Sequence, residues 1–311
     1  MSVNMKGKNF VSINDLSFEE FYQILRTTER LKDEDEMGIR HHILKGKTLA
    51  MIFQKPSTRT RVSFETGIYQ LGGVALYLGP NDLQLKRGET ISDTARVLVR
   101  YVDGIMARLF DHDDCVQLAT HSTKTVINGL TDLLHPCQVM TDLFTIYEKK
   151  NTLKGLKVAF MGDGSNNMAN SWIFGAAKAG VHLTIGTPEG YLPDKDIVAM
   201  AQYDFSHSGG SLKVTHDPIE AVKGVDVIYT DVWASMGQED EREKRIKLMM
   251  PYQVNSDLVK HADENYLFMH CLPAHREEEV TAEVCDSDHS VIFDEAENRL
   301  HTQKAIMALM M

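Results

Sequence analysis

Long apolar runs are missing from this sequence: no uninterrupted apolar stretch reaches the length that a bilayer-spanning helix needs. The opening residues, MSVNMKGKNFVSINDLSFEEF, hold no apolar core of signal-peptide length. Neither export nor membrane insertion is therefore expected. Cysteine is scarce too. Cys115, Cys137, Cys271 and Cys285 are scattered without a CxxC pair, so the expectation is free thiols in a reducing cytoplasm, not a disulfide framework. Positive charge is in deficit: 33 Lys and Arg stand against 44 Asp and Glu, a net charge of −11. That balance argues against a general nucleic-acid surface, which needs a basic face, but it permits a local basic pocket for a small anion. The EREKRIK segment (241–247) reads as a mixed-charge solvated face. No internal repeat or low-complexity tract is present.

Several ligand signatures are also absent. There is no GxxxxGK[ST] loop. GDGSNN (162–167) has two of the three dinucleotide-fingerprint glycines, and VHLTIG (181–186) ends without the acidic ribose ligand, so a dehydrogenase is rejected. DHDDC (111–115) and His41-His42 follow no fixed metal-ligand pattern and read as surface polar groups.

What is present is an α/β pattern. Hydrophobic residues make up 43% and charged residues 25%, a globular composition, and the length suits two domains. TLAMIF (48–53) reads as a buried strand, and the next helix turns Phe64, Ile68 and Leu71 inward before Gly72-Gly73. VALYL (74–78), VDGIMAR (102–108) and TVIN (125–128) are further strands, and a helix is expected over roughly 136–150. LKVAFMGDG (156–164) restarts the pattern, followed by a helix with Met168, Trp172, Ala176 and Ala179 on one face. VHLTIG, LKVTH (212–216), VDVIYT (225–230) and YLFMHC (266–271) are strand candidates, and the last segment reads as a helix. The fold expected is α/β in two domains, each a mainly parallel sheet flanked by helices. The boundary falls near the lysine-rich stretch 147–155.

Ligands in such folds bind at the C-terminal ends of strands. PSTRTR (56–61) lies where a strand gives way to a helix. Hydroxyls and guanidinium groups, added to the free N–H groups of a helix start, make a phosphate cradle. The plainer reading is an N-cap followed by solvated arginines. Arg108 ends one strand, HPCQ (135–138) lies at another strand-to-helix passage, and HCLP (270–273) follows a third strand. Singly, His135 reads as a structural histidine and Cys271 as a buried small residue.

Together and in this order, STRTR, HPCQ, DVWASMG (231–237) and HCLPAHR (270–276) resemble the aspartate/ornithine carbamoyltransferase family. The SMG loop, HCLP and FDEAENRLHTQKA (293–305) are similar to its ornithine branch. The resemblance implies a carbamoyl-phosphate domain over 1–147, joined by a C-terminal helix (about 295–311) packing back on it, and an ornithine domain over 148–294. It implies transfer of a carbamoyl group from carbamoyl phosphate to the side-chain amine of L-ornithine, giving L-citrulline and phosphate, in arginine biosynthesis. The enzyme would be a homotrimer or a multiple of trimers, cytoplasmic, with no metal, cofactor, nucleic-acid or membrane partner.

By the same resemblance, Ser57, Thr58, Arg59 and Thr60 hold the phosphate, and Arg108 reaches phosphate and carbonyl oxygen. His135 and Arg299 donate to that oxygen. Gln138 and the carbonyls around Cys271 and Leu272 accept from the carbamoyl NH2, Pro136 and Cys137 complete the HPCQ contact, and Gln84 comes from a neighbouring subunit. Asn167, Asp231, Ser235 and Met236 bind ornithine. Cys271 accepts the amine proton or orients the amine; the two roles stay open. Arg108, His135, Cys271 and Arg299 form the catalytic set. WASMGQEDERE is expected to be a mobile lid. The alternatives are a carbamoyltransferase for putrescine or an N-acylated ornithine, and an inactive phosphate-binding module.

Overall fold

The TLAMIF run forms β1 (Thr48–Phe53) in the computed structural model, which describes residues 2–84, 88–234 and 241–311. Leu49 to Phe53 are fully buried, as expected of a parallel strand covered on both faces. Two units divide the chain: Met1–Phe144 with Glu297–Met311, and Thr145–Ala296.

In the first unit, β1 is joined by β2 (Val74–Leu78), β3 (Gly104–Arg108) and β4 (Thr125–Leu130). The sheet is parallel, in the order β2-β1-β3-β4. Its helices are α1 (Phe18–Glu36), α2 (Thr58–Gln70), α3 (Ile91–Leu98) and α4 (His112–His121). The start of α5 (Pro136–Lys150) also belongs to it. Phe64, Ile68 and Leu71 are buried, as their spacing predicts. DHDDC is less of a surface segment than expected: Asp111 caps α4 by accepting from the Asp113 N–H, and Cys115 is fully buried. The end of α12 (Ile292–Met310) packs in this unit. Asn298 Oδ1 there accepts from Lys32 Nζ at 2.8 Å, and the Met310 carbonyl accepts from Thr125 Oγ1 at 2.7 Å.

The second unit holds β5 (Lys157–Met161), β6 (His182–Gly186), β7 (Ser211–Thr215), β8 (Val227–Thr230) and β9 (Leu267–His270). They are parallel, in the order β7-β6-β5-β8-β9. The helices here include α6 (Asn167–Ala179), α7 (Lys195–Ser208), α8 (Pro218–Val222), α9 (Arg242–Met249), α10 (Ser256–Val259) and α11 (Ala282–Cys285). In α6 every residue from Met168 to Ala179 is buried. The single inward face expected from Met168, Trp172, Ala176 and Ala179 is thus too narrow a reading. Small residues and a half-polar sequence disguise a helix enclosed on all sides.

The strand orders place the sites. In the first sheet the chain runs from β1 outward to β2, then returns to the other side at β3. In the second it leaves β5 for β6 and β7, then returns at β8. Beyond the C-terminal ends of β1 and β3, and of β5 and β8, loops diverge and leave crevices for ligands.

Candidate active site

At the first switch point, Ser57 is the N-cap of α2: its Oγ accepts from the Thr60 N–H at 3.2 Å and donates to Thr60 Oγ1 at 3.1 Å. The plain capping reading therefore holds, and it fixes the turn that presents Thr58 and Arg59. The two arginines part company. Arg61 is exposed, pairs with Glu65 at 3.3 Å and lies over the Tyr77 ring, whereas Arg59 is one of the charges acting on His135.

Arg108 is buried at the end of β3. The register against β4 shifts between Ala107 and Arg108, because β4 carries one extra residue, Gly129, opposite the end of β3. His135 immediately precedes α5, whose first residue is Pro136, where proline costs no hydrogen bond. Arg299 arrives from α12. Its Nη2 donates to Thr60 Oγ1 at 2.8 Å, and its Nη1 donates to Gln138 Oε1. Gln138 in turn donates to Asp142 Oδ1 at 2.8 Å. Segments 161 and 239 residues apart along the chain thus meet through one guanidinium.

The electrostatics follow from this crowding. Burial first, then the charges of Arg299, Arg108 and Arg59, hold His135 well below the ordinary histidine range. It is neutral at neutral pH. A chain of net charge −11 has gathered three cations around one neutral imidazole, which suits an anionic ligand and a developing oxyanion.

Cys137 contributes differently. It is fully buried, its Sγ donates to the Asn128 carbonyl at 3.3 Å, and burial pushes its thiol up to about 12. Its backbone N–H, in the first turn of α5, is the group suited to a ligand. Gln84 is exposed on the loop after β2.

Lys55 was not anticipated. It is buried, pairs with Asp132 and lies 4.5 Å from the centroid of the Phe110 ring. Next to it, Gln54 Oε1 accepts from the Phe110 N–H at 3.0 Å. These contacts tie together the loops that follow β1, β3 and β4. Its place directly before PSTRTR was the available signal.

At the second switch point, Asn167 opens α6 behind the N-cap Asn166, which accepts from the Ala169 N–H at 2.8 Å. Asp231 follows β8 and is 8% exposed. Its Oδ1 accepts from the Val232 N–H at 2.8 Å and from Cys271 Sγ at 3.2 Å. Burial raises the Asp231 carboxyl above its usual range, against the opposing pull of His270, the Cys271 thiol and the Val232 N–H. Ser235 and Met236, and most of the expected lid, lie outside the described residues.

The HCLP turn is held from behind. The Leu272 N–H donates to His270 Nδ1 at 2.8 Å, so His270 carries its proton on Nε2 and donates it to Glu279 Oε1 at 3.1 Å. Leu272 has φ 59, a left-handed conformation that costs a side-chain-bearing residue about 1–3 kcal/mol and is found at ligand-binding turns. Asp231, His270 and Cys271 bring metal-type donor atoms within 4.8 Å of one another, as do His275, Glu278 and Glu279. Both His270 ring nitrogens are already engaged, and Glu279 also accepts from the His275 N–H at 2.6 Å.

EREKRIK is mostly exposed, as its composition suggested, with Arg245 as the exception. Arg245 is buried and pairs with Asp163 at 2.6 Å. Asp163 lies 82 residues earlier, so no local pattern could have revealed the pair.

Residues 8–148 match the family model described as aspartate/ornithine carbamoyltransferase, carbamoyl-P binding domain, and residues 154–310 match its Asp/Orn binding domain. The chain belongs to the aspartate/ornithine carbamoyltransferase family. Among this family's members, it is 58% identical over 311 residues to an ornithine carbamoyltransferase of Thermococcus kodakarensis, covering 100% of this chain and 98% of that protein. Identity is 57% to an anabolic ornithine carbamoyltransferase of Pyrococcus furiosus, with 100% and 98% covered. The solved ornithine carbamoyltransferase of Pyrococcus furiosus superposes with a TM-score of 0.96 at 57% identity, covering 99% of this chain and 98% of that one. The anabolic enzyme of Campylobacter jejuni gives 0.90 at 42%, with 96% and 97% covered.

Proposed function

We infer that the chain transfers the carbamoyl group of carbamoyl phosphate to the side-chain amine of L-ornithine, giving L-citrulline and phosphate in the biosynthetic direction. One observation carries this reading: Arg299 joins Thr60 and Gln138 by hydrogen bonds, bringing the starts of α2 and α5 to one guanidinium, and the charges of Arg299, Arg108 and Arg59 all act on His135. The first unit is thereby equipped for an acyl phosphate. Ser57, Thr58, Arg59, Thr60 and Arg108 bind the phosphate. His135 and Arg299, with Arg108, donate to the carbonyl oxygen as it gains charge. Gln138 and the HCLP carbonyls take the carbamoyl NH2.

In the second unit, Asp231 pairs with the α-ammonium of ornithine and Asn167 bonds the α-carboxylate. Ser235 and Met236 complete that contact. The neutral amine attacks the carbonyl carbon, the new N–C bond forms, the C–O bond to phosphate breaks, and the leaving phosphate carries away the amine proton. Cys271, whose thiol donates to Asp231, orients the amine, or takes its proton first after passing its own to the Asp231 carboxylate. Each oxyanion donor is expected to contribute about 3–4 kcal/mol to lowering the barrier. A cytoplasmic homotrimer, or a multiple of it, with Gln84 supplied by a neighbouring subunit, completes the reading.

A citrulline assay with carbamoyl phosphate and a panel of ornithine, acetylornithine, putrescine and aspartate tests it. Citrulline from ornithine, with little turnover of the other amines, is the expected result. Preferred turnover of another amine, or none at all, overturns it.

A further inference from the structure

Arg245, on α9, is a buried guanidinium that the carbamoyl chemistry does not use. Its Nη1 donates to Asp163 Oδ2 at 2.6 Å and to the Trp233 carbonyl at 3.3 Å, and its Nε donates to Glu241 Oε2 at 3.1 Å. The Tyr191 ring centroid lies 5.1 Å from the guanidinium carbon. A planar fork fixes both the distance and the direction of its partners, which a lysine ammonium does not.

The partners belong to the turns that carry the amino-acid contacts. Asp163 lies in the turn after β5, four residues before Asn167. Its Oδ1 accepts from both the N–H (2.9 Å) and the hydroxyl (2.6 Å) of Ser165, so the carboxylate shapes the turn as well as pairing with Arg245. Trp233 lies two residues beyond Asp231. The two turns also touch. Gly162 has φ +120, and a Cβ added there would stand 3.1 Å from Trp233 Nε1, so a shift of one turn is transmitted to the other.

We propose that Arg245 is a positioning residue for the amino-acid substrate, locking the turn after β5 to the turn after β8. Asn167 and Asp231 are thereby held at the spacing of the α-carboxylate and α-ammonium of a single ornithine molecule. Arg245 touches no reacting atom, and this role rests on the ornithine reading given above. A guanidinium that merely stabilises the fold would lower the melting temperature without selecting between substrates.

The test uses the full-length chain with R245Q, R245K and E241Q. It measures citrulline kinetics, the melting temperature, and the Kd for phosphonoacetamide, a non-reacting analogue of carbamoyl phosphate. Misplacing a binding group by about 1 Å can cost roughly 100-fold. The ornithine KM is therefore expected to rise roughly 10- to 100-fold in R245Q, with a smaller rise in R245K. E241Q, which weakens one arm, should raise it least. The Kd for phosphonoacetamide should stay within about twofold of the parent value in all three. R245K keeps the charge and its ion pair with Asp163, so it decides the matter should R245Q fail to fold. A folded R245K with unchanged ornithine KM overturns the inference alone. A parent protein that makes no citrulline from ornithine overturns the functional reading and this inference with it.

Discussion

Replacing Arg299 by Met separates catalysis from stability. The substitution deletes the bonds to Thr60 Oγ1 and Gln138 Oε1. A hydrogen bond with a charged partner contributes about 1.5–3 kcal/mol, and a buried acceptor left unsatisfied costs about 1–3 kcal/mol. Taken alone, these contacts would make the variant several kcal/mol less stable. An offset comes from charge: Arg59 and Arg108 act on His135 together with Arg299, so removing Arg299 lowers the positive charge gathered there. The net loss should be smaller than the contact sum. The transition state has no such compensation, because one oxyanion donor is gone, and the barrier should rise by about 3–4 kcal/mol. The same change removes the largest charge contribution holding His135 down, so the His135 pKa must rise towards the ordinary histidine range. The assay pairs the citrulline rate and thermal melting with NMR titration of the imidazole. A rate within about tenfold of the parent, or a His135 pKa that stays put or falls, refutes the reasoning.

Other expectations are more direct. Arg59→Ala should abolish turnover and weaken carbamoyl-phosphate binding, read as Kd, by about two orders of magnitude, with far-UV circular dichroism unchanged; near-normal affinity would count against the phosphate assignment. Asp231→Asn should impair ornithine use while leaving phosphonoacetamide binding intact, and calorimetric titration of both ligands would reveal an unwanted equal loss. The acid side of stability should depend on His135. Its folded pKa lies below the ordinary 6.5, so the unfolded chain takes up the proton first as pH falls. Stability present above about pH 6.5 is then lost towards the folded value. His135→Gln should flatten urea midpoints across that window, and an unchanged slope would exclude the histidine as its source. Asp231 acts in the opposite sense: its raised pKa means its contribution falls as pH rises through the carboxylate range.

Most of the parallel strands were legible as short apolar runs bounded by turn residues, and β1 and β2 begin and end where TLAMIF and VALYL do, whereas the half-polar, largely exposed β7 starts one residue before LKVTH. Switch-point reasoning then needed only strand order. The helices were harder. α1 owes its start to a capping box between Ser17 and Glu20 and was not assigned from sequence, because its charged face conceals the buried one. α6 misled in the opposite way: its polar residues are buried along with the apolar ones. Within the site, PSTRTR stood out through donor density alone. The approach of Cys271 to Asp231 was not legible in residue spacing, since 40 residues separate them. Arg245 defeated both routes. Its charge matched its helical neighbours, and nothing local marked Asp163 as its partner.

The contact between Arg299 and Thr60 spans 239 residues, and this bears on the order of synthesis. A ribosome completes the strands of both sheets before it reaches Arg299. Domains tend to fold as they emerge, N-terminal first, so a nascent chain can hold a folded cradle that still lacks its last guanidinium. Capacity to grip an acyl phosphate would switch on late in translation, and a stop codon placed just before that arginine would remove the buried Ile306, Met307 and Met310 from the first unit together with the guanidinium.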